Sequence, residues 1–484
     1  MSEDWTPEIG KTGKALYLAI ADAMADDIAS GALKDGDQLP PQRSLADRLG
    51  MDFSTISRAY AEARRRGLVV GRVGQGTFVN AARKGGQGAA GSANGRRTLI
   101  DMSMNAPPVP GDAALMRRLA ADMAAAVNNS DGRILSAYGD PGGAERDRAA
   151  GRLWLADRLP DAAIGTVLVC PGAQGALLAV LSSLARPGQV IAVEQLCYPG
   201  VRAIATHLGL ELRSLLMDRD GILPESFRHL CQTDRPQALY CNPTLHNPTG
   251  ITWSQERRQI IADLAREYGV PIVEDDAYGA LPVAAPPPLA AFAPDLTYHI
   301  AGLAKCVSPA LRIAYLSVPK ARQLAPVIAA LRGTSLMASP LLTAVATQWI
   351  GDGTARMVRD AIRAEAAERM GLAARLLSPG CLDGYPFPQA GVPPSDYSLP
   401  DGAFHLWLSA PPGWRTGDFA AYLRGMGVLA ASAESFVANP SITAVGDGVR
   451  LCLGVPANRD DLERMLTDIA ALMSGPVPGC LVVV

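Results

Sequence analysis

HIAGLAKCVSPALRIAYL, residues 299–316, sets one lysine, Lys305, in a run so apolar that an ordinary surface lysine has no reason to be there. An ammonium withdrawn from water without a partner costs several kcal/mol, so a buried lysine pairs, loses its proton or becomes covalently bound. Once desolvated and deprotonated it is an amine nucleophile of the kind that forms Schiff bases. Upstream, Val273-Glu274-Asp275-Asp276-Ala277-Tyr278 places three acids after a short β-type run, and His246-Asn247-Pro248-Thr249-Gly250 stands before that. The surroundings of these segments alternate. Thr166–Val169, Val190–Val193, Ala238–Cys241, Pro271–Val273 and Ile313–Val318 read as short strands, with helical stretches such as Gly175–Leu184, Tyr198–His207 and Ser254–Tyr268 between them. Buried strands alternating with helices predict an α/β domain with a largely parallel sheet.

Beyond about Ala321, long Ala/Leu/Arg helices (Thr354–Leu377 among them) lead to further αβ segments, Ala403–Leu408 and Val449–Leu453, which predict a smaller C-terminal lobe. Toward the N-terminus the pattern stops at AARKGGQGAAGSANGRRT, residues 81–98. This stretch lacks aromatic and branched apolar residues, so it reads as a flexible linker. The expected division is therefore a domain over 1–80, a linker over 81–98 and a second domain over 99–475.

With 484 residues the chain exceeds one hydrophobic core, which agrees with two domains. A net charge of −2 excludes a global basic field, so any nucleic-acid site must be a local patch. The eight cysteines are scattered, with no Cys-x-x-Cys pair and no clustered histidines. That argues against a disulfide scaffold and a metal site and fits a cytoplasmic protein. No stretch of about 18 uninterrupted apolar residues predicts a membrane span, and the acidic N-terminus is not a signal peptide.

The patch is found before the linker. A helix from Lys14 to Ser30 carries apolar residues at 16, 20, 24 and 28; Pro40-Pro41 restarts the chain into Gln42–Leu49, stopped by Gly50. After a tight turn at Met51-Asp52 a third helix runs from Ser54 to Arg66, and Leu68–Val79 forms a hairpin with a glycine-rich tip at Gly74–Gly76. Two helices joined by a short turn are the helix-turn-helix arrangement, and the hairpin is its wing. Residues 40–80 hold seven arginines against three acids. Arg43, Ser54, Thr55, Ser57 and Arg58 are the candidate contacts to operator DNA, with Arg72 and Gly76 approaching from the hairpin.

In the second half, an amine, a buried acid, a tyrosine and an asparagine in this order are what a pyridoxal 5'-phosphate site requires. Lys305 supplies the amine for the cofactor aldehyde. Asp275, at a strand end, is the acid that keeps the pyridine nitrogen protonated, and Tyr278 and Asn247 hold the ring hydroxyl. Arg312 offers a fork to the phosphate. The glycine-bearing helix start around Ala173 and Gln174 is a phosphate seat, Tyr198 covers the ring face, and Arg450 clamps a carboxylate. Singly, Asp275 or Asn247 reads as a capping or turn residue and Lys305 as a snorkelling lysine; the ordered set carries the reading.

LPPQRSLADRLGMDFSTISRAYAEARRRGLVVGRVGQGTFV, Leu39 to Val79, resembles the winged helix-turn-helix of GntR-family repressors. From about Leu99 to Pro456 the motifs resemble fold type I, aspartate aminotransferase-like enzymes. The resemblance implies Lys305 as the Schiff-base lysine, Asp275 as the pyridine partner, and Tyr278 and Asn247 as ring-oxygen ligands. It likewise implies Arg312 at the phosphate, Arg450 at the substrate carboxylate, and Tyr138 reaching the phosphate of a neighbouring subunit. Ala304, Gly302 and Ala173-Gln174 depart from the pattern, since hydroxyls are expected there. The fusion is similar to the MocR subfamily of GntR regulators, which implies a head-to-tail homodimer that binds operator DNA and senses an amino-acid-like or vitamin B6-related effector. An active aminotransferase carrying a DNA-binding module is the alternative.

Overall fold

A computed structural model describes residues 5–7, 16–30, 32–34, 36–65, 68–72, 76–79, 99–128, 132, 136–319, 324–377, 400–411, 413–438 and 446–474. The expected linker at 81–98 and the centre of the hairpin tip lie outside the described residues. Two compact units are present, one within Met1–Ala90 and one within Gly91–Val484.

The first unit comprises α1 (Leu16–Ser30), β1 (Gln38–Leu39), α2 (Gln42–Leu49), α3 (Phe53–Arg65), β2 (Val69–Arg72) and β3 (Gly76–Val79). Its helices meet on Ile20, Met24, Leu45, Ile56 and Tyr60, all fully buried. Tyr60 donates to the Pro40 carbonyl at 2.7 Å, which ties α3 to the Pro40-Pro41 restart. Gly50 closes α2 in the left-handed region at φ 61°, the conformation that favours glycine there. Asp52 opens α3 by accepting the Ser54 N–H at 2.8 Å. Leu16, the first member of the expected apolar stripe, is exposed, and burial begins with the following turn. The hairpin pairs Arg72 with Gly76. A third strand, β1, joins it through β3; two residues are too few for an alternation to be read from sequence.

The second unit is built on β5 (Thr166–Cys170), β6 (Val190–Glu194), β7 (Glu211–Leu215), β10 (Ala238–Cys241), β11 (Ile272–Asp275), β12 (Thr297–Gly302) and β13 (Ala314–Val318). A two-stranded excursion, β8 (Met217–Asp218) with β9 (Gly221–Ile222), interrupts the series. The sheet order is β5-β13-β12-β11-β10-β6-β7. All neighbours are parallel except β13, which is antiparallel to both β12 and β5. Helices such as Gly172–Leu184 and Gln255–Tyr268 pack beside these strands, whose central members are buried along their whole length. This is the architecture that the alternation predicts.

A smaller mixed lobe follows. There β14 (His405–Ser409), β17 (Gly448–Cys452) and β16 (Ala431–Ser432) form an antiparallel sheet, and Thr354–Leu376 packs against Arg459–Ser474. Another pairing, β4 (Ile100–Asp101) with β15 (Val428–Leu429), ties the start of the unit to this lobe. Among the described residues no helix is long and apolar enough to cross a membrane.

Gly402 turns the chain into β14 at φ 75°, and a Cβ there would stand 2.7 Å from the Leu281 backbone, in the loop that follows Tyr278. Gly402→Ala is expected to destabilise this unit by about 2–4 kcal/mol, the sum of left-handed strain and an overpacked contact. Denaturant unfolding measures it; a loss below about 1 kcal/mol would mean that the contact yields freely.

Candidate functional site

Strand β11 decides how the three consecutive acids are used. Side chains alternate across a strand, so Glu274 and Asp276 share one face and Asp275 takes the other. On the far face Glu274 accepts the backbone N–H groups of Leu289 and Ala290 at 2.7 and 3.0 Å. It also meets His299 Nδ1 at 2.9 Å and lies 3.8 Å from the Arg258 guanidinium. Asp276 pairs with Arg158 at 3.5 Å. Burial alone would depress His299, yet the Glu274 hydrogen bond and the charges of Glu274 and Asp276 raise its pKa above the ordinary value. Two of the acids are thus consumed by buried counter-charges.

The third faces a cleft of about 700 Å³. Lys305, Asp275, Tyr278, Asn247, Arg312, Tyr198, Ala173, Gln174 and Arg450 all line it. Burial pushes the Asp275 carboxyl up to about 6, against a Tyr240 hydrogen bond that lowers it. Tyr240 donates to Asp275 Oδ2 at 3.2 Å, while Oδ1 is buried without a hydrogen-bond partner among the described residues. Lys305, in the turn after β12, donates to the Asn105 carbonyl. Its pKa is lowered, chiefly by burial, with Arg450 and Arg312 pushing the same way against Cys452 and Asp275. Tyr278 is buried beside it and accepts from Asn105 Nδ2 at 2.8 Å.

Arg450 reaches in from β17. It donates to Asn247 Oδ1 at 2.8 Å and to the Ser103 carbonyl, and its guanidinium carbon lies 5.2 Å from the Phe436 ring centroid. Its Nε is buried without a hydrogen-bond partner among the described residues. Gly172 opens the helix Gly172–Leu184 at φ 77°, and a Cβ there would stand 3.6 Å from the Arg312 guanidinium. No side chain at this position separates the helix N-terminus from that cation. Tyr198 accepts from Gln174 at 3.2 Å across the same corner. Tyr138, expected at the phosphate of a neighbouring subunit, is 84% exposed and lines a separate cavity of its own chain with Asp147 and Met337.

Several lining residues had not been anticipated. Asn105 joins Lys305 to Tyr278, and Asn242 binds the Asp275 carbonyl through Nδ2 at 2.6 Å and the Asn247 N–H through Oδ1 at 2.8 Å. The doubled Asn-Pro-Thr of 242–244 and 247–249 was the available signal. Asn105 had none, because its segment carries no motif. Among the described residues no cluster of His, Cys, Asp and Glu could hold a metal ion.

These groups fit pyridoxal phosphate. An unpartnered carboxylate oxygen, an amine with depressed proton affinity and an open helix N-terminus beside a guanidinium match its ring nitrogen, aldehyde and phosphate.

In the first unit, Ile56, Ala59, Tyr60 and Ala63 face inward along α3, leaving Ser54 and Arg58 exposed, with Thr55 and Ser57 half-buried. The Arg58 guanidinium lies 4.3 Å from the Tyr17 ring centroid, and that of Arg43 lies 5.9 Å from the exposed Phe53 ring. Arg72 and Gly76, the candidates on the hairpin, are described in their strand pairing only.

Residues 16–79 match the gntR family of bacterial regulatory proteins, and residues 97–380 match the class I and II aminotransferases. The uncharacterized HTH-type transcriptional regulator YdeF of Bacillus subtilis is 30% identical over 97% of this chain and 96% of its own length. The vitamin B6 salvage pathway transcriptional repressor PtsJ of Salmonella typhimurium is 28% identical over 63% of this chain and 67% of its own. A multiple substrate aminotransferase from Thermococcus profundus superposes with a TM-score of 0.66 at 20% identity, covering 78% of this chain and 91% of that one. The chain belongs to the MocR-type HTH transcriptional regulators, in which a GntR winged helix-turn-helix is joined to a fold type I aminotransferase-like domain.

Proposed function

We propose that this regulator binds operator DNA as a homodimer and senses an amino-acid-like or vitamin B6-related effector through pyridoxal phosphate attached at Lys305. The observation that carries the reading is the convergence of Lys305, Asp275 and Arg450 on one cleft, with an amine, an acceptor and a carboxylate clamp within a single enclosure. Pyridoxal phosphate supplies an aldehyde that condenses with amines and a ring that withdraws electrons from them.

The chain's own residues divide the remaining work. Asp275 gives the ring nitrogen its counter-charge, and Tyr278 with Asn247 receives the ring hydroxyl. Arg312 and the backbone N–H groups near Ala173 and Gln174 take the phosphate, with Tyr138 of a second copy in a head-to-tail pair completing that seat. Tyr198 covers the ring and excludes water from its face. Lys305, stripped of part of its proton affinity by burial, gives up its proton more readily than a surface lysine and so becomes a nucleophile more easily. Arg450 fixes an effector carboxylate, since Asn247 and Ser103 already hold its fork in position. Asp275, the acid among these groups, titrates at about 6. The cleft is equipped for transamination too; multiple turnover of an amino donor, against a single stoichiometric conversion, separates a working aminotransferase from a sensor.

The protein loaded with the cofactor is expected to show a visible absorption band that borohydride bleaches irreversibly, and Lys305→Ala is expected to lose it. A reducible band retained in that variant overturns the attachment. Arg450→Ala should raise the effector concentration needed to change operator binding by at least about tenfold, the loss of one charged hydrogen-bonded contact. An undiminished response removes Arg450 from the carboxylate site.

On the DNA side, Arg43→Ala and Arg58→Ala should each weaken operator binding by about 1–3 kcal/mol if the contact is bidentate to a base. Fluorescence anisotropy with the DNA upstream of the regulator's own gene measures this. Equal affinities for wild type and both variants would exclude these arginines from the interface.

A further inference from the structure

We propose that Tyr240 is a positioning residue for the cofactor: its hydroxyl holds one oxygen of Asp275 and thereby aims the other at the ring nitrogen of pyridoxal phosphate. This rests on the reading of the cleft as a pyridoxal phosphate site.

Tyr240 lies in β10, directly opposite Val273 of β11 in a parallel pairing, and is completely buried. Phenylalanine would fill such a position without a polar atom. A hydroxyl there is costly unless it is bonded, and its bond goes to Asp275 Oδ2 at 3.2 Å. Asp275 Oδ1 is left buried with no donor among the described residues. A buried carboxylate with one oxygen satisfied and one vacant is an unstable end state for a protein alone, and it suits a carboxylate that awaits a donor from a ligand.

The backbone beneath this carboxylate is fixed as firmly as its oxygen. The Asp275 carbonyl accepts Asn242 Nδ2 at 2.6 Å, and the Asn242 N–H is held by the buried Glu194 at 2.9 Å. On the other side the Asp276 N–H donates to the Ile300 carbonyl at 3.0 Å. With the strand end unable to slide, the remaining freedom is rotation of the carboxylate about its own axis. Tyr240 is the group that removes it.

The charges around Asp275 make this bond consequential. Glu194 from β6 and Asp276 from its own strand both disfavour ionisation, and Lys305 from the turn after β12 favours it. Tyr198, Tyr278 and Tyr240 also face it, all held neutral by burial. Burial sets the Asp275 pKa at about 6, and the Tyr240 hydrogen bond is the largest influence lowering it. Removing that donor raises the pKa. The ionised carboxylate, which a protonated pyridine requires, is then lost from a higher pH downward.

The test compares full-length wild type, Tyr240→Phe, Asp275→Asn and the double variant. Each is stripped of cofactor and titrated with pyridoxal phosphate, with binding read by the visible band and by protein fluorescence. A pH series spans the Asp275 titration at about 6. The phosphate of the ligand titrates in the same range but identically for all four proteins, so affinity ratios isolate the protein's contribution. Tyr240→Phe should bind roughly three- to tenfold more weakly near neutral pH. The deficit should widen as the pH falls toward Asp275's titration and narrow above it. In the Asp275→Asn background the same substitution should add nothing.

A deficit that is constant across the series, or that persists undiminished in the Asp275→Asn background, overturns the positioning role. It would mean that the hydroxyl acts on packing alone, and thermal unfolding of the cofactor-free proteins would show the same loss. If wild type takes up no pyridoxal phosphate at any pH, the reading of the cleft itself fails and the role of Tyr240 falls with it. Should Tyr240→Phe not fold, a flat pH profile in the wild-type to Asp275→Asn ratio overturns the proposal by itself.

Discussion

The burial of charge at the end of β11 is the constraint on which the rest of this domain depends. Glu274, Asp275 and Asp276 occupy successive positions at the end of a strand without exposure to water, a situation that a protein interior does not tolerate unless each carboxylate is paired or neutral. The chain solves two of the three with protein groups. Arg258, itself fully buried, lies near Glu274 and donates to the Trp253 and Pro243 carbonyls at 3.1 and 2.8 Å. His299 bridges both acids from β12, and Arg158 reaches Asp276 from the turn after its helix. The pairing locks β11 against β12 and fixes the loop that carries Tyr278. Asp275 is the acid left without an ion pair among the described residues, and it is the one that faces the cleft.

From that residue the hydrogen bonds continue without a break across the cleft. Tyr240 holds Asp275, Asp275 holds Asn242, Asn242 holds Asn247, and Asn247 holds Arg450. A second path runs from Lys305 through Asn105 to Tyr278. Asp275, Lys305 and Arg450 are each oriented by another residue, so these groups have little rotamer freedom left to lose when a ligand arrives. Such pre-organisation serves a sensor as well as an enzyme. It therefore explains why an aminotransferase-like domain can be kept intact in a regulator.

The legibility of all this in the sequence followed local pattern strength. Lys305 and Arg450 stood out because charges inside apolar runs violate the ordinary burial rule, Asp275 because three acids follow a strand-like run, and β5, β6, β10, β11 and β13 were readable as short apolar segments. The strand β12 was not read as one, because Thr297, His299 and Gly302 break its apolar run; the polarity of His299 makes sense only once Glu274 is seen across the ladder. The edge strand β7, with its exposed and half-buried Glu211 to Ser214, has no apolar face to betray it. Asn105 and Ser103 reach the site from far away in sequence, and such contacts leave no trace in spacing. Tyr138 was singled out for the phosphate of a neighbouring subunit, and in its own chain it lines a separate cavity.

The departures from the aminotransferase pattern bear on what kind of site this is. Ala304, Gly302 and Ala173 supply no hydroxyl where side-chain donors to a phosphate are expected, so on the proposed reading that contact falls to Arg312 and backbone N–H groups. Each neutral hydrogen bond forgone is worth about 1 kcal/mol, or several-fold in affinity. Arg312 is exposed and holds a left-handed backbone at φ 52°, a strained conformation for a residue with a side chain. A phosphate held this way is bound chiefly by charge at an open edge and less by an enclosing cup. An enzyme gains from never releasing its cofactor. A regulator whose response depends on vitamin B6 or on amines competing for it gains from a cofactor that exchanges, since a ligand shifts an equilibrium only through its differential affinity for two states. The deep end of the cleft is held by hydrogen bonds from Tyr240 and Asn242 to Asp275 and from Arg450 to Asn247, while its phosphate end is lightly built. On the proposed reading, that asymmetry would join chemical selectivity to reversible occupancy in one site.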